Sequence, residues 1–220
     1  VKGFLDGYHN MELPDVNVTY DCFKYECDLG KTTADNGIYR LRTKLPSGCK
    51  NGFFELEKAG YLKTRTQQLT STQEIKMKKL SKINLSVLKH PKSNLNSIKP
   101  LDSWDSVLIH LENNENDYDV YAEYKIGSNT SIELIAEDLT YKADILLYDN
   151  LDSLIYGGYK GNLTIKENDL LNDEIVLHVV EILPKPFSIE DNMNMAKYIE
   201  SSVYTNQLKP TYQTGGILSS

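Results

Sequence analysis

VNVTYDCFKYECDLGKTTADNGIYRLRTKLPSGCKNGFFELEKAGY, residues 16–61, decides the fold class of this chain. Val16, Val18, Tyr20 and Cys22 alternate with Asn17, Thr19 and Asp21. That period of two is the mark of a strand with one face buried. A tight connection at Lys24 to Glu26 predicts a return strand from about Cys27 to Thr33. Asp35-Asn36-Gly37 is a hairpin signal, because Asn and Gly accept the positive φ of a primed turn. Leu45-Pro46-Ser47-Gly48 ends the following strand, since proline cannot extend a ladder and glycine permits the reversal. Phe53 to Lys58 makes the next strand, and Ala59-Gly60-Tyr61 closes it.

Outward from this stretch the same alternation continues. Val1 to Phe4 predicts a short opening strand leading into a loop, and EIKMKKL and INLSVLK, within residues 74–89, predict two more strands. HPKSNLNSIKP, residues 90–100, has two prolines, several Ser and Asn residues and no periodicity, which reads as an interdomain linker. Beyond it, Val107, Ile109 and Leu111, then Val120, Ala122, Tyr124 and Ile126, then Tyr141, Ala143, Ile145 and Leu147 form further period-two stripes. Ile175 to Ile182 is the most apolar run and predicts a central strand buried on both faces. After Pro186 the spacing of Ile189, Met193, Ala196, Ile199 and Val203 turns helical, with Ser188 and Asp191 placed as a capping pair. The expectation is an all-β chain of two antiparallel β-sandwich domains with a short C-terminal amphipathic helix. The boundaries are 1–89 for the first sandwich, 90–100 for the linker, 101–183 for the second, and 184–220 for the helix (about 188–204) and a polar tail containing Gly215-Gly216.

The opening Gly-containing strand, Leu13-Pro14-Asp15-Val16-Asn17-Val18, the Asn-Gly turn within residues 32–39, Leu45-Pro46-Ser47-Gly48 and Ala59-Gly60-Tyr61 together resemble the carboxypeptidase regulatory-like and PEGA-type domains. The resemblance covers about residues 1–88. It implies a small transthyretin-like sandwich used as a repeat or stalk module in secreted and surface proteins, and it brings no catalytic residues with it. The three cysteines depart from the general pattern.

Twenty-four Lys and Arg against 31 Asp and Glu give a net charge of −7, and the lysines are scattered. Nucleic-acid binding needs a basic face, so it is not expected. No run approaches the roughly 18 apolar residues of a membrane span, so this segment is not expected to insert directly into a membrane. No leader pattern opens the chain. Because it starts with Val1, the expectation is a mature form or a piece of something longer.

Strand direction brings the three cysteines to one end of the first domain. The expectation is a disulfide between Cys27 and Cys49, with Cys22–Cys27 as the alternative and three buried thiols as the reading without a bond. Sequons at Asn17, Asn84, Asn129 and Asn162 offer glycosylation sites, and with a disulfide they favour an extracellular or cell-surface location. Glu115, Asp117 and Asp119 supply hard oxygens in one loop, a weak calcium candidate that lacks EF-hand spacing and reads better as a solvated hairpin. His9, His90, His110 and His178 are dispersed, and His178 reads as a packed, hydrogen-bonded residue. Tyr121, and Tyr156 and Tyr159 flanking an expected Gly157-Gly158 turn, are candidates for stacking on sugars or proteins. No nucleophile–base pair, phosphate loop or cofactor motif is present. The expected function is therefore a non-enzymatic structural or adhesive module with a protein or glycan surface partner. The alternative is a carbohydrate-binding module using those tyrosines.

Overall fold

The computed structural model describes residues 2–5, 9–22, 25–45, 52–67, 73–186, 188–200 and 202–214. The expected connection at Lys24, the Pro46-Ser47-Gly48 turn, Cys49 and the Gly215-Gly216 tail lie outside the described residues. The protein is all-β, apart from short C-terminal helical segments, and divides into two units, residues 1–81 and 82–220.

The first unit carries β1 (Lys2–Leu5), β2 (His9–Glu12), β3 (Asn17–Cys22), β4 (Tyr25–Lys31), β5 (Thr33–Asp35), β6 (Ile38–Arg40), β7 (Phe53–Glu57), β8 (Thr64–Gln67) and β9 (Lys76–Met77). They pair as β2-β1-β9, β4-β3-β7-β8 and the β5-β6 hairpin. At the tip of that hairpin Asn36 and Gly37 have φ of 54° and 81°, the primed geometry that the Asn-Gly pair predicts. Leu13, Val16, Val18, Leu56 and Met77 form the core, with the β3 alternation directed as expected. A buried Thr32 fastens the entry to β3: its Oγ1 donates to the Leu13 carbonyl at 2.8 Å and accepts from the Val16 N–H at 3.0 Å.

The second unit is built from β10 (Leu80–Pro91), β11 (Lys99–Pro100), β12 (Asp105–Asn113), β13 (Tyr118–Lys125), β14 (Ser131–Ile135), β15 (Leu139–Asp149), β16 (Ile155–Ile165), β17 (Glu174–Glu181), α1 (Ile189–Ile199), α2 (Ser202–Gln207) and β18 (Thr211–Gln213). Its described strands form one curled sheet in the order β11-β10-β17-β16-β15-β12-β13. β14 pairs with β10, β18 pairs with β17, and β10 runs parallel to β17. Across the curl, Tyr118 Oη on β13 donates to the Glu133 carbonyl on β14 at 2.5 Å, so the two ends of the sheet approach each other. Alternate residues fill the interior: Ile83, Leu85 and Val87 from β10, Val107, Ile109 and Leu111 from β12, Ile175, Leu177 and Val179 from β17. β17 is buried on both faces, as its apolar run predicts.

Three expectations change. Residues 90–100 are not a linker between units: His90 and Pro91 finish β10, Lys99 and Pro100 form β11, and the division falls at Ser81/Lys82. The expected helix comes as two segments, α1 and α2, with Ser188 accepting from the Asp191 N–H at 3.1 Å as the cap. Gly157-Gly158 is not a turn but the interior of β16. These glycines permit close approach. A Cβ on Gly157 would sit 2.0 Å from the Val180 carbonyl oxygen, and one on Gly158 would sit 2.1 Å from that of Ile145 and 3.3 Å from Ile199 of α1.

Backbone cannot yield as a flexible side chain does, so Gly157→Ala is expected to lower unfolding free energy by about 1–3 kcal/mol. Urea denaturation followed by circular dichroism checks this. An unchanged midpoint would show that β16 and β17 can separate without cost.

Candidate functional site

At one end of the second unit the apolar interior gives way to charge. Lys89 continues the inward face of β10 after Val87, Asp105 precedes Val107 on β12, Asp149 follows Leu147 on β15, and Glu181 follows Val179 on β17. Topology brings these ends together, because β10 and β17 run parallel and Asp105 is the register partner of Asp149. Lys89, only 2% exposed, lies 2.5 Å from Asp102 Oδ2, 2.8 Å from Asp105 Oδ2 and 2.8 Å from Glu181 Oε1. Tyr156 Oη donates to Asp105 Oδ1, and the Asp102 N–H donates to Asp105 Oδ2 at 2.7 Å. Lys185 pairs with Asp149 and lies 4.5 Å from the centroid of the Tyr156 ring.

The electrostatics follow from this packing. Burial works against the Lys89 ammonium, but the hydrogen bonds to Asp102, Asp105 and Glu181 together outweigh it and hold the side chain above the ordinary lysine range. Burial first, then the Asp105 hydrogen bond, pushes the Tyr156 hydroxyl well above the usual tyrosine range, so it stays a donor. The Lys185 hydrogen bond draws Asp149 below its usual value. Glu181 Oε2 is buried without a hydrogen-bond partner, with Lys99 Nζ 3.9 Å away.

On the opposite face of the same two strands lies a second buried polar group. His90 Nε2 is 2.8 Å from His178 Nδ1, His90 Nδ1 is 2.6 Å from the Leu95 carbonyl, and His178 Nε2 is 3.0 Å from Thr211 Oγ1 of β18. A carbonyl can only accept, so His90 carries its hydrogen on Nδ1 and, when neutral, accepts at Nε2 from His178 Nδ1–H. Thr211 then donates to His178. This one-way chain ties β10, β17 and β18, and it joins two histidines 88 residues apart that looked dispersed in sequence.

The surface candidates fare unevenly. Tyr156 and Tyr159 are 0% and 1% exposed, which corrects the expectation that they display rings at a turn: β16 carries both inward. Tyr121 is 63% exposed and stacks on its register partner His110, with centroids 4.1 Å apart and planes 2° apart. Asn17, Asn84, Asn129 and Asn162 are all exposed. Glu115, Asp117 and Asp119 are exposed on a tight turn organised by Asn113, whose Oδ1 accepts from the Asn116 N–H at 3.1 Å. No group of three metal-ligating side chains is assembled there or elsewhere among the described residues.

Cys27 is a free thiol, so both pairings that include it are corrected. Cys27 faces Tyr20 across the β3–β4 ladder and Cys22 faces Tyr25, a diagonal relation. Diagonal neighbours stand about 7–8 Å apart, beyond the roughly 4.4–6.8 Å Cα separation of a disulfide. Cys22 is not a free thiol, and Cys49 lies outside the described residues.

Fold and site thus define an all-β protein whose second unit is a curled sheet with a charged, internally paired end. Comparison with family models, curated proteins and solved structures finds no match.

Two outcomes follow from these side chains. Burial, then the charge of His90, holds His178 below the ordinary histidine value, so the unfolded chain binds its proton more tightly than the folded one. The contribution of His178 to stability is therefore complete above the unfolded value of about 6.5 and declines as pH falls below it. Urea midpoints measured from neutral to mildly acid pH are expected to fall in the wild type and to fall less steeply in His178→Gln; parallel curves would contradict the assignment. Alkylation of the folded, non-reduced protein is expected to label Cys27 and spare Cys22 on peptide mass mapping, and protection of Cys27 would contradict the free thiol.

Proposed function

We propose that this chain is a non-enzymatic interaction module of an extracellular or cell-surface protein, serving as a spacer or adhesive segment. The observation that carries the reading is the outward face of β12, β13 and β15. There the stacked Tyr121–His110 pair stands near Leu108, which is 41% exposed, and Glu112, Asp119, Glu123, Lys125 and Lys142 surround them. An aromatic centre within a rim of mixed charge is the composition of a protein-contact surface. The exposed sequon asparagines point the same way, as would the stalk-module role implied by the carboxypeptidase regulatory-like and PEGA-type resemblance read from the motifs of residues 1–88. Inside the second unit, by contrast, lysines and carboxylates are occupied with one another.

A second reading, carbohydrate binding, is favoured by one feature. His110 covers one face of the Tyr121 ring and leaves the other open for a sugar to stack on.

Treating intact source cells with a membrane-impermeant biotin reagent is expected to label the chain, and labelling only after lysis overturns the surface assignment. On a glycan array, binding by the wild type that is lost in Tyr121→Ala selects the carbohydrate reading. Silence of the wild type on that array removes it.

A further inference from the structure

The charged end of the second unit places a primary amine against a carboxyl group, with a second carboxylate on the same amine and all three side chains buried. We propose that Lys89 and Asp105 condense into an internal isopeptide bond, with Glu181 carrying the protons. This is a modification of the chain by its own side chains and stands whether or not the protein acts at a surface.

Three observations divide the roles. Lys89 Nζ, the nucleophile, is buried and 2.8 Å from Asp105 Oδ2. Asp105, 0% exposed, is the electrophile because both of its oxygens already receive hydrogen bonds, Oδ1 from Tyr156 Oη and Oδ2 from the Asp102 N–H. Those donors draw electron density from Cγ and are in place to stabilise the oxyanion formed on attack. Glu181 Oε1 lies 2.8 Å from the same Nζ, and its buried Oε2 has no hydrogen-bond partner, which leaves an oxygen free to receive a proton. Asp102 also touches Nζ, but its side chain is 47% exposed and its hydrated carboxylate resists dehydration.

The step balances. The ammonium gives a proton to Glu181, and the freed amine attacks Cγ of Asp105. One oxygen of Asp105 then leaves with two of the three ammonium protons, delivered through Glu181. The third proton stays on the amide nitrogen. The products are a secondary amide and one water, and Glu181 ends as it began. No oxidant or other reactant is required. In bulk water the reverse reaction wins, but fixed neighbours react with effective concentrations of roughly 10⁵–10⁸ M. Condensation also replaces the buried Lys89 and Asp105 charges by a neutral amide, and Glu181 then keeps Lys99 Nζ, 3.9 Å from its Oε2, as a neighbouring cation. The product would strap β10 to β12, which are not neighbours in the sheet order.

The test is the mass of the reduced, denatured full chain. The expected value is the sequence mass less one water. After trypsin, which separates the partners by cutting after Lys92, the peptide holding Lys89 is expected to remain joined to the one holding Asp105. Asp105→Asn is expected to give a product of the same mass as the wild type, because its condensation releases ammonia in place of water. Glu181→Gln is expected to stay at its full sequence mass while retaining the wild-type circular dichroism spectrum. A wild-type chain at full sequence mass, with trypsin cutting after Lys89, overturns the proposal and leaves an ion-pair network. A cross-link formed equally well in Glu181→Gln overturns the role given to Glu181.

Discussion

The second unit depends on how one charge is kept inside it. Lys89 stands at the end of an inward stripe of Ile83, Leu85 and Val87, where an isolated ammonium would be very costly. The curl of the sheet answers that cost by delivering Asp105 from β12, Glu181 from β17 and Asp102 from the loop before β12. Buried pairs of this kind add little over well-packed apolar groups, yet stripping one partner from them costs about 3–5 kcal/mol. Their structural effect is therefore one of registration. A slip of β10 by one residue would exchange Lys89 for Leu88 or His90 and strand three carboxylates.

His90 makes the same strand end polar on its other side. Adjacent residues of a strand point to opposite faces, and both Lys89 and His90 are buried. β10 is thus enclosed on both sides at its C-terminal end, by the sheet interior and by the Leu95 loop. The two groups differ in their response to acid. Before any condensation, Lys89 is matched by carboxylates that hold it above the ordinary lysine range. His178, the partner of His90, is buried next to another imidazole, so a proton there goes uncompensated.

Much of the fold was legible because alternation is a local property. The stripes on β3, β10, β12, β15 and β17 could each be read from sequence without knowing a neighbour. The polar site was half legible. Lys89, Asp105, Asp149 and Glu181 each extend an apolar stripe by one step of two, so a charge on the inward parity was visible at the end of four strands. Their convergence was not visible, since it requires β10 to lie parallel to β17 and β12 antiparallel to β15. Two misreadings had a shared cause. Glycine and proline were taken as punctuation, whereas Gly157 and Gly158 clear space for Val180, Ile145 and Ile199, and Pro91 ends a strand in which His90 already belongs to the buried network. Reading β16 as a turn displaced Tyr156 and Tyr159 to the surface with it.

The position of Tyr156 carries the last step. A tyrosine at a turn offers its ring to a partner, but here the ring lies against Lys185 and the hydroxyl is committed to Asp105. It therefore links the two ion pairs, Lys89 with Asp105 and Lys185 with Asp149, into one internal system. These groups are turned toward one another inside the unit. The exposed aromatic and apolar groups of this region stand instead on the outer face, where Tyr121 stacks on His110 and Leu108 stands near it. The inward face of the sheet sets its register, and the outward face, with no such duty, is where large side chains stay exposed.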